Sequence, residues 1–225
     1  MKFGVIISAR IGSVRLPSKA LLPLTGIPMI NFLIKRIKNS KLASEIIFAT
    51  TYLPEDDRLA ESVKKEGVYV YRGNSEDVLA RYVNAAKNRD FDYSVRVTGD
   101  CPFVDGETLD YVLSRCLKLN KFDLVTTKPK FPHGIDYEVY PSGLLEEINK
   151  NDEVTSEDRE HMLNYIYRNE RKYSITRLSP PLGLELDKTI FLVDTIDDYN
   201  KAKKLLEGID NVNIRVSDLI EKYKK

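Results

Sequence analysis

Hydrophobic positions along this chain follow two alternating rhythms. Residues 3–8 form an apolar, β-branched run of strand length, and Ile30, Leu33, Ile34 and Ile37 then recur at helical spacing. That order predicts a strand, a loop and a helix. The pattern repeats with residues 46–50 as a strand, Pro54 and Glu55 opening a helix through Leu59 and Val63, and Gly67 ending it. Residues 68–71 and 93–97 read as strands and 77–87 as a helix, while Leu109, Val112, Leu113 and Cys116 lay one apolar stripe on a further helix. Residues 124–127 and 136–140 are strand-like. The stretch 157–169 reads as one charged helix carrying Met162, Tyr165 and Ile166 inward. Beyond a loop marked by Pro180, Pro181 and Gly183, a short strand is expected at 191–193, and helices at 197–206 and 218–224 close the chain.

Strands alternating with helices imply a mostly parallel sheet, because parallel neighbours need crossovers and each helix must bury its stripe against a sheet face. The expected fold is α/β: a three-layer, Rossmann-like domain with a mostly parallel mixed central sheet, occupying residues 1–225 as one unit. Ligands on such sheets bind at the C-terminal ends of the strands.

Composition narrows the partners. With 35 Lys and Arg against 34 Asp and Glu, the net charge of +1 argues against a broad nucleic-acid-binding surface or a polybasic membrane anchor. The apolar run after Lys2 is too short for a signal peptide or a bilayer span, so a cytoplasmic protein is expected. Cys101 and Cys116 form neither a CxxC pair nor a disulfide framework, and Cys116 reads as a buried helix position.

Against this neutral background the loop after the first strand stands out. It places Arg10, Arg15 and Lys19 around Gly12 and Ser13. Amides of a Gly-containing turn can approach phosphate oxygens, Arg supplies a planar fork of donors, and Lys adds a compact charge. The loop is neither a Walker A sequence nor a dinucleotide fingerprint. Its alternative reading is a set of cations that merely keep a loop soluble. Asp100, in a Gly99 to Pro102 turn after the strand at 93–97, is either a carboxylate held at the sheet edge or a turn residue bonding its own backbone.

This loop, together with Thr98-Gly99-Asp100-Cys101-Pro102, Glu76-Asp77-Val78-Leu79-Ala80-Arg81-Tyr82 and Val193-Asp194-Thr195-Ile196-Asp197-Asp198, resembles the cytidylyltransferases that activate acidic sugars. That superfamily includes the sialic-acid and ketodeoxyoctonate enzymes, and the spore-coat polysaccharide branch matches best. The motifs keep their order over almost the whole chain.

The resemblance implies a nucleotidyltransferase fold and transfer of CMP from CTP to a small acidic acceptor, in surface polysaccharide or glycoconjugate synthesis. It implies that Arg10, Gly12, Ser13, Arg15 and Lys19 hold the triphosphate, with Ala9 beside them. Asp100 is then the principal Mg²⁺ ligand and Asp194 the second, the alternative being that Asp194 or Thr195 starts the following helix. Ala49, Thr50, Arg72 and Asp77 would lie near the base and ribose, with Asp77 also suited to a helix N-cap. Arg81 reads as a surface cation. On the acceptor side the resemblance points to His133, Asp136, Glu138, Arg159 and His161, with Asp136 and Glu138 alternating on one strand face. Residues 128–180 would bind the acceptor and contribute to a homodimer. The sequence departs from the branch at Ser18, where Gly is usual, at His133, where an acid is common, and at Leu163 and Asn164, which replace Thr and Pro. Three other readings remain open at this level: a nucleotidyltransferase using UTP, GTP or ATP with a sugar phosphate, a glycosyltransferase, and a nucleotide-binding protein without catalysis.

Overall fold

The computed structural model describes residues 1–186 and 191–224. Its strands are β1 (Phe3–Ser8), β2 (Pro23–Leu24), β3 (Ile27–Pro28), β4 (Ala43–Thr51), β5 (Tyr69–Gly73), β6 (Tyr93–Thr98), β7 (Leu124–Thr126), β8 (Glu138–Pro141) and β9 (Ile175–Arg177). Its helices are α1 (Met29–Ile37), α2 (Asp57–Lys64), α3 (Val78–Ala86), α4 (Gly106–Cys116), α5 (Leu144–Asn149), α6 (Ser156–Glu160), α7 (Asn164–Arg168), α8 (Ile196–Leu205) and α9 (Val216–Lys224).

All strands but the β2–β3 hairpin join one seven-stranded sheet, ordered β5-β4-β1-β6-β8-β7-β9. The first four of that order are parallel neighbours, β8 runs antiparallel to both β6 and β7, and β7 pairs in parallel with β9. The mixed, mostly parallel α/β architecture expected from the periodicity is therefore the one observed.

The two faces follow from the period of two along each strand. Val5, Ile7, Val95 and Val97 meet Leu33, Val63, Leu113, Ala202 and Leu219 of α1, α2, α4, α8 and α9. Ile6, Ile47, Ala49 and Tyr140 meet Leu79, Leu145 and Ile166 of α3, α5 and α7. Among the described residues no helix is long and apolar enough to cross a membrane.

Several expectations are corrected. The stretch 157–169 is two short helices, α6 and α7, because burying Met162 and Leu163 at successive positions turns the chain between them. Residues 191–193 do not form a strand and do not join the sheet. Val193 N–H donates one bond to Asp100 O (2.8 Å), and the Phe191 backbone lies so close to Gly134 (φ +95°) that a Cβ there would come within 2.3 Å of Phe191 C. Strand β8 starts at Glu138, so Asp136 precedes it in a loop and accepts from the Gly134 amide (3.2 Å), and the two acids do not share a strand face. The hairpin, α5 and β9 are short elements that the periodicity did not reveal.

Helix α6 has a capping box, in which Asp158 N–H donates to Thr155 Oγ1 (3.2 Å) and Thr155 N–H to Asp158 Oδ2 (2.9 Å). Arg168 donates to the same carboxylate (2.7 Å), and that bond, aided by Thr155 against the cost of burial, lowers the Asp158 pKa to about 2. A depressed carboxylate stabilises the fold above its unfolded pKa and loses that effect as pH falls through its folded one. Asp158→Asn should thus unfold more easily than the parent at neutral pH, by about 1 kcal/mol or more. Chemical denaturation between pH 6 and pH 2 should show this gap closing below about pH 4.

Candidate active site

The parallel edge of the sheet sets the site's position. Ser8 of β1 and Thr98 of β6 end in register, and Gly99 N–H donates to Ser8 O (2.9 Å). A Cβ on Gly99 would lie 2.6 Å from the Ala9 Cβ, so the close approach of the two strand ends depends on glycine. Cys101 N–H donating to Thr98 O (3.1 Å) closes the turn and leaves Asp100 beside the β1 loop. The bond from Val193 to Asp100 O then delivers Asp194 to the same place.

The loop itself is anchored from β4. Ile11 N–H donates to Oδ1 of the buried Asp56 (2.7 Å), whose other oxygen is held by Thr51. Ser13 and Ser18 N–H both converge on Ile11 O, at 2.7 and 3.2 Å. Ser18 lies in the left-handed region (φ 58°, ψ 20°), a conformation that glycine enters without steric cost.

Lys19 Nζ stands 3.3 Å from Asp100 Oδ2 and 3.0 Å from Asp194 Oδ1, and Arg15 Nη2 is 2.5 Å from Asp194 Oδ2. Burial alone would raise the Asp100 pKa, but Lys19 beside it and the Thr98 hydroxyl more than offset that and hold the carboxyl below its ordinary range. Asp194 is not the helix cap. Thr195 and Asp198 form the capping box of α8, which leaves the Asp194 side chain to the two cations.

These groups line an open cleft of about 530 Å³ between the strand ends and the helices α3 and α6. Of the residues singled out in the sequence, Ala9, Arg10, Gly12, Ser13, Arg15, Lys19, Asp100, His161 and Asp194 line it. Arg10 Nη1 also donates to Ser75 O at the entrance to α3 (3.2 Å).

The others sit elsewhere. Ala49 and Thr50 are buried in β4, and Arg72 ties β5 to the β4 exit through Thr51 O, Leu53 O and Asp57. Asp77 caps α3 by accepting from Ala80 N–H, and its second oxygen pairs with Arg159 Nη1 (2.8 Å), so these two join α3 to α6. His133 is exposed, and burial raises the Asp136 carboxyl. Glu138 is 2 % exposed and takes Arg96 Nη1 (2.5 Å), Tyr167 Oη (2.6 Å) and Lys128 Nζ (3.5 Å).

Of two further cleft residues, the sequence reading misassigned one and passed over the other. Arg81 is buried, donating to Asn74 O (2.7 Å) and Ser8 Oγ (3.4 Å), and burial lowers its pKa. It is not the surface cation expected. Arg96 lies inside β6 with its side chain 22 % exposed to the cleft. A charged residue set between Val95 and Val97 in a strand was the available signal.

A mixed sheet of this order, with carboxylates and cations gathered at its parallel edge, defines a protein of the nucleotidyltransferase fold. The chain belongs to the cytidylyltransferase family, whose model matches residues 4–219. It is 31% identical to a spore coat polysaccharide biosynthesis protein of Bacillus subtilis, over 96% of this chain and 91% of that one. A cytidylyltransferase from Leptospira borgpetersenii superposes with a TM-score of 0.92 at 33% identity, covering 100% of this chain and 94% of that one. The fold is shared with a CMP:2-keto-3-deoxy-manno-octonic acid synthetase complexed with CTP, at a TM-score of 0.71 and 19% identity over 92% of this chain and 99% of that one. The resemblance to the cytidylyltransferases, spore-coat branch included, thus holds over the whole motif order.

Two stability measurements probe this geometry. Glu138→Ala leaves Arg96 without its counter-ion and should cost about 3–5 kcal/mol in denaturant unfolding. Ser18→Gly relieves the left-handed serine and should raise stability by about 0.5 kcal/mol, since the strain removed slightly exceeds the added chain entropy.

Proposed function

We propose that this chain transfers CMP from CTP to a small acidic acceptor, releasing pyrophosphate. The observation that carries the reading is the contact of Lys19 with both Asp100 and Asp194 in a cleft that also holds Arg10, Arg15 and the Gly12-Ser13 turn. Family membership supports it, as does the CTP named in the complex that shares this fold.

In this reading an acceptor oxygen attacks the α-phosphorus, an O–P bond forms while a hydroxyl acceptor gives up its proton to solvent, and the bond to the β-phosphate breaks with its electron pair leaving on pyrophosphate. Arg10, Arg15 and Lys19 meet the charge that accumulates on the leaving phosphates, and the Gly12 amide and the Ser13 hydroxyl orient them. The gain comes from placement and charge neutralisation, with no covalent enzyme intermediate.

The donor set fits Mg²⁺. Asp100 and Asp194 already accommodate a cation between them in the form of the Lys19 ammonium, and two carboxylates beside a triphosphate offer the all-oxygen ligands this ion prefers. When bound, the ion neutralises phosphate oxygens and holds them in line for displacement. Asp100 and Asp194 would hold it, and Lys19 would then turn to the phosphates.

The acceptor belongs to surface polysaccharide or glycoconjugate synthesis in this reading, in keeping with the Bacillus subtilis relative's name. His161 and the Arg159-Asp77 tie shape its side of the cleft. Glu138 acts there indirectly, through Arg96.

The test is pyrophosphate release with CTP, UTP, GTP and ATP against acidic sugars, sugar phosphates, polyol phosphates and phosphonates. CTP should be preferred with at least one acid. Asp100→Ala should lower release by 10³-fold or more, on the order of 4 kcal/mol of lost transition-state stabilisation, while its circular dichroism stays that of the parent. Full activity in that variant, or turnover of another nucleotide alone, would overturn the reading.

A further inference from the structure

Arg96 is a half-buried cation to which the phosphate chemistry described above assigns no contact. It sits two residues before Thr98 on the same face of β6, opposite Ile6 of β1 and Glu138 of β8. Burial opposes its charge, but the Glu138 carboxylate against it prevails and raises the guanidinium pKa further. Glu138 is itself gripped on its second oxygen by Tyr167 from α7, whose hydroxyl also meets Thr126 (3.0 Å). One edge of the guanidinium is therefore fixed by β8 and α7.

Its remaining N–H donors have no protein acceptor among the described residues, and none is sealed from solvent. They open into the cleft. The other cleft cations are differently engaged: Arg15 and Lys19 meet Asp100 and Asp194, Arg10 meets Ser75 and Glu76, and Arg81 meets Asn74 and Ser8. Arg96 lies outside the loop at residues 10–19, on β6 between β1 and β8, and lines the same cleft as Ser156, Glu160 and His161.

An ion pair this covered adds little net stability over an apolar pair of the same shape, so stability alone does not account for its position. What it achieves is a planar donor group of fixed direction. A guanidinium with one edge anchored and others facing an open cleft matches the paired oxygens of a carboxylate, phosphate or phosphonate.

We infer that Arg96 selects the acid group of the acceptor, with Glu138 and Tyr167 holding its orientation. This rests on the reading that the β1 loop takes the triphosphate and leaves the β8 side to the acceptor. Arg96 contributes recognition and alignment, and the nucleotide is bound without it.

The experiment titrates the protein by calorimetry with glycerol 3-phosphate against glycerol, and with ketodeoxyoctonate against its methyl ester. Each titration is made with and without α,β-methylene CTP and Mg²⁺. The variants are Arg96→Gln, Arg96→Lys and the double replacement Arg96→Gln with Glu138→Gln, which removes both charges so that no carboxylate is left stranded. The parent should prefer an acid over its neutral counterpart. In Arg96→Gln and in the double variant that preference should fall about 10- to 100-fold while the nucleotide analogue binds within twofold of the parent. Arg96→Lys should recover part of it.

Retention of the acid preference in the folded double variant would overturn the inference. So would an equal loss of nucleotide affinity, or a parent that never prefers an acid. A parent that binds the acids through Arg96 but takes no CTP analogue would instead overturn the cytidylyl-transfer reading, so the two failures are told apart.

Discussion

Two carboxylates far apart in the chain share one ammonium, and the C-terminal edge of the sheet is arranged around that contact. Asp100 and Asp194 are only 29 % and 14 % exposed at the side chain, so without a cation between them their mutual repulsion and desolvation would act together. Lys19 removes that conflict. The contact requires the Gly99 approach to Ala9, the backbone bond from Val193 to Asp100, and a capping box that relieves Asp194 of duty at α8. Arg15, 70 % exposed, is held more loosely, and an exposed pair of this kind contributes little to stability. In the proposed reading Arg15 can therefore exchange its protein carboxylate for a phosphate at small cost.

The second half of the sheet works by a different rule. Reversal of strand direction at β8 places Glu138 opposite Arg96 in an antiparallel pair. Tyr167 closes this group from α7, and α7 exists as a separate helix because the chain turns at His161 to Leu163. The same turn brings His161 to the cleft wall. Helix break, buried carboxylate and cleft-facing guanidinium are therefore parts of one packing solution, in which changing one charge disturbs the others.

Most of the regular fold could be read from the chain because β1, β4, β6, α1 and α4 carry long stripes of unmistakable period. The elements that escaped, α5, β9 and the β2–β3 hairpin, are too short for periodicity to accumulate. The turn inside 157–169 is imposed by burial of Met162 and Leu163, a tertiary demand that overrides a helical pattern. The cationic loop was legible because its charges are contiguous. Arg72, Asp77 and Glu138 were legible as charged residues, but the partners that absorb them come from other strands and helices. Arg81 was read as a surface cation and Arg96 was passed over, because only the fold turns each toward the cleft.

This division of labour bears on how one cleft can treat two anionic ligands differently. In the proposed reading the loop cations, of which Arg10 and Arg15 are the more exposed, respond to total charge, and a triphosphate satisfies them wherever its oxygens reach. Arg96 carries its counter-ion with it, so it adds almost no net charge to the cleft. Its attraction for distant anions is correspondingly weak, and its effect is confined to a group that arrives within hydrogen-bonding distance at the correct angle. A neutralised guanidinium therefore discriminates by direction rather than by field. Beside a loop that gathers phosphate by charge in the proposed reading, it would separate recognition of the smaller acid from competition with the nucleotide's own phosphates.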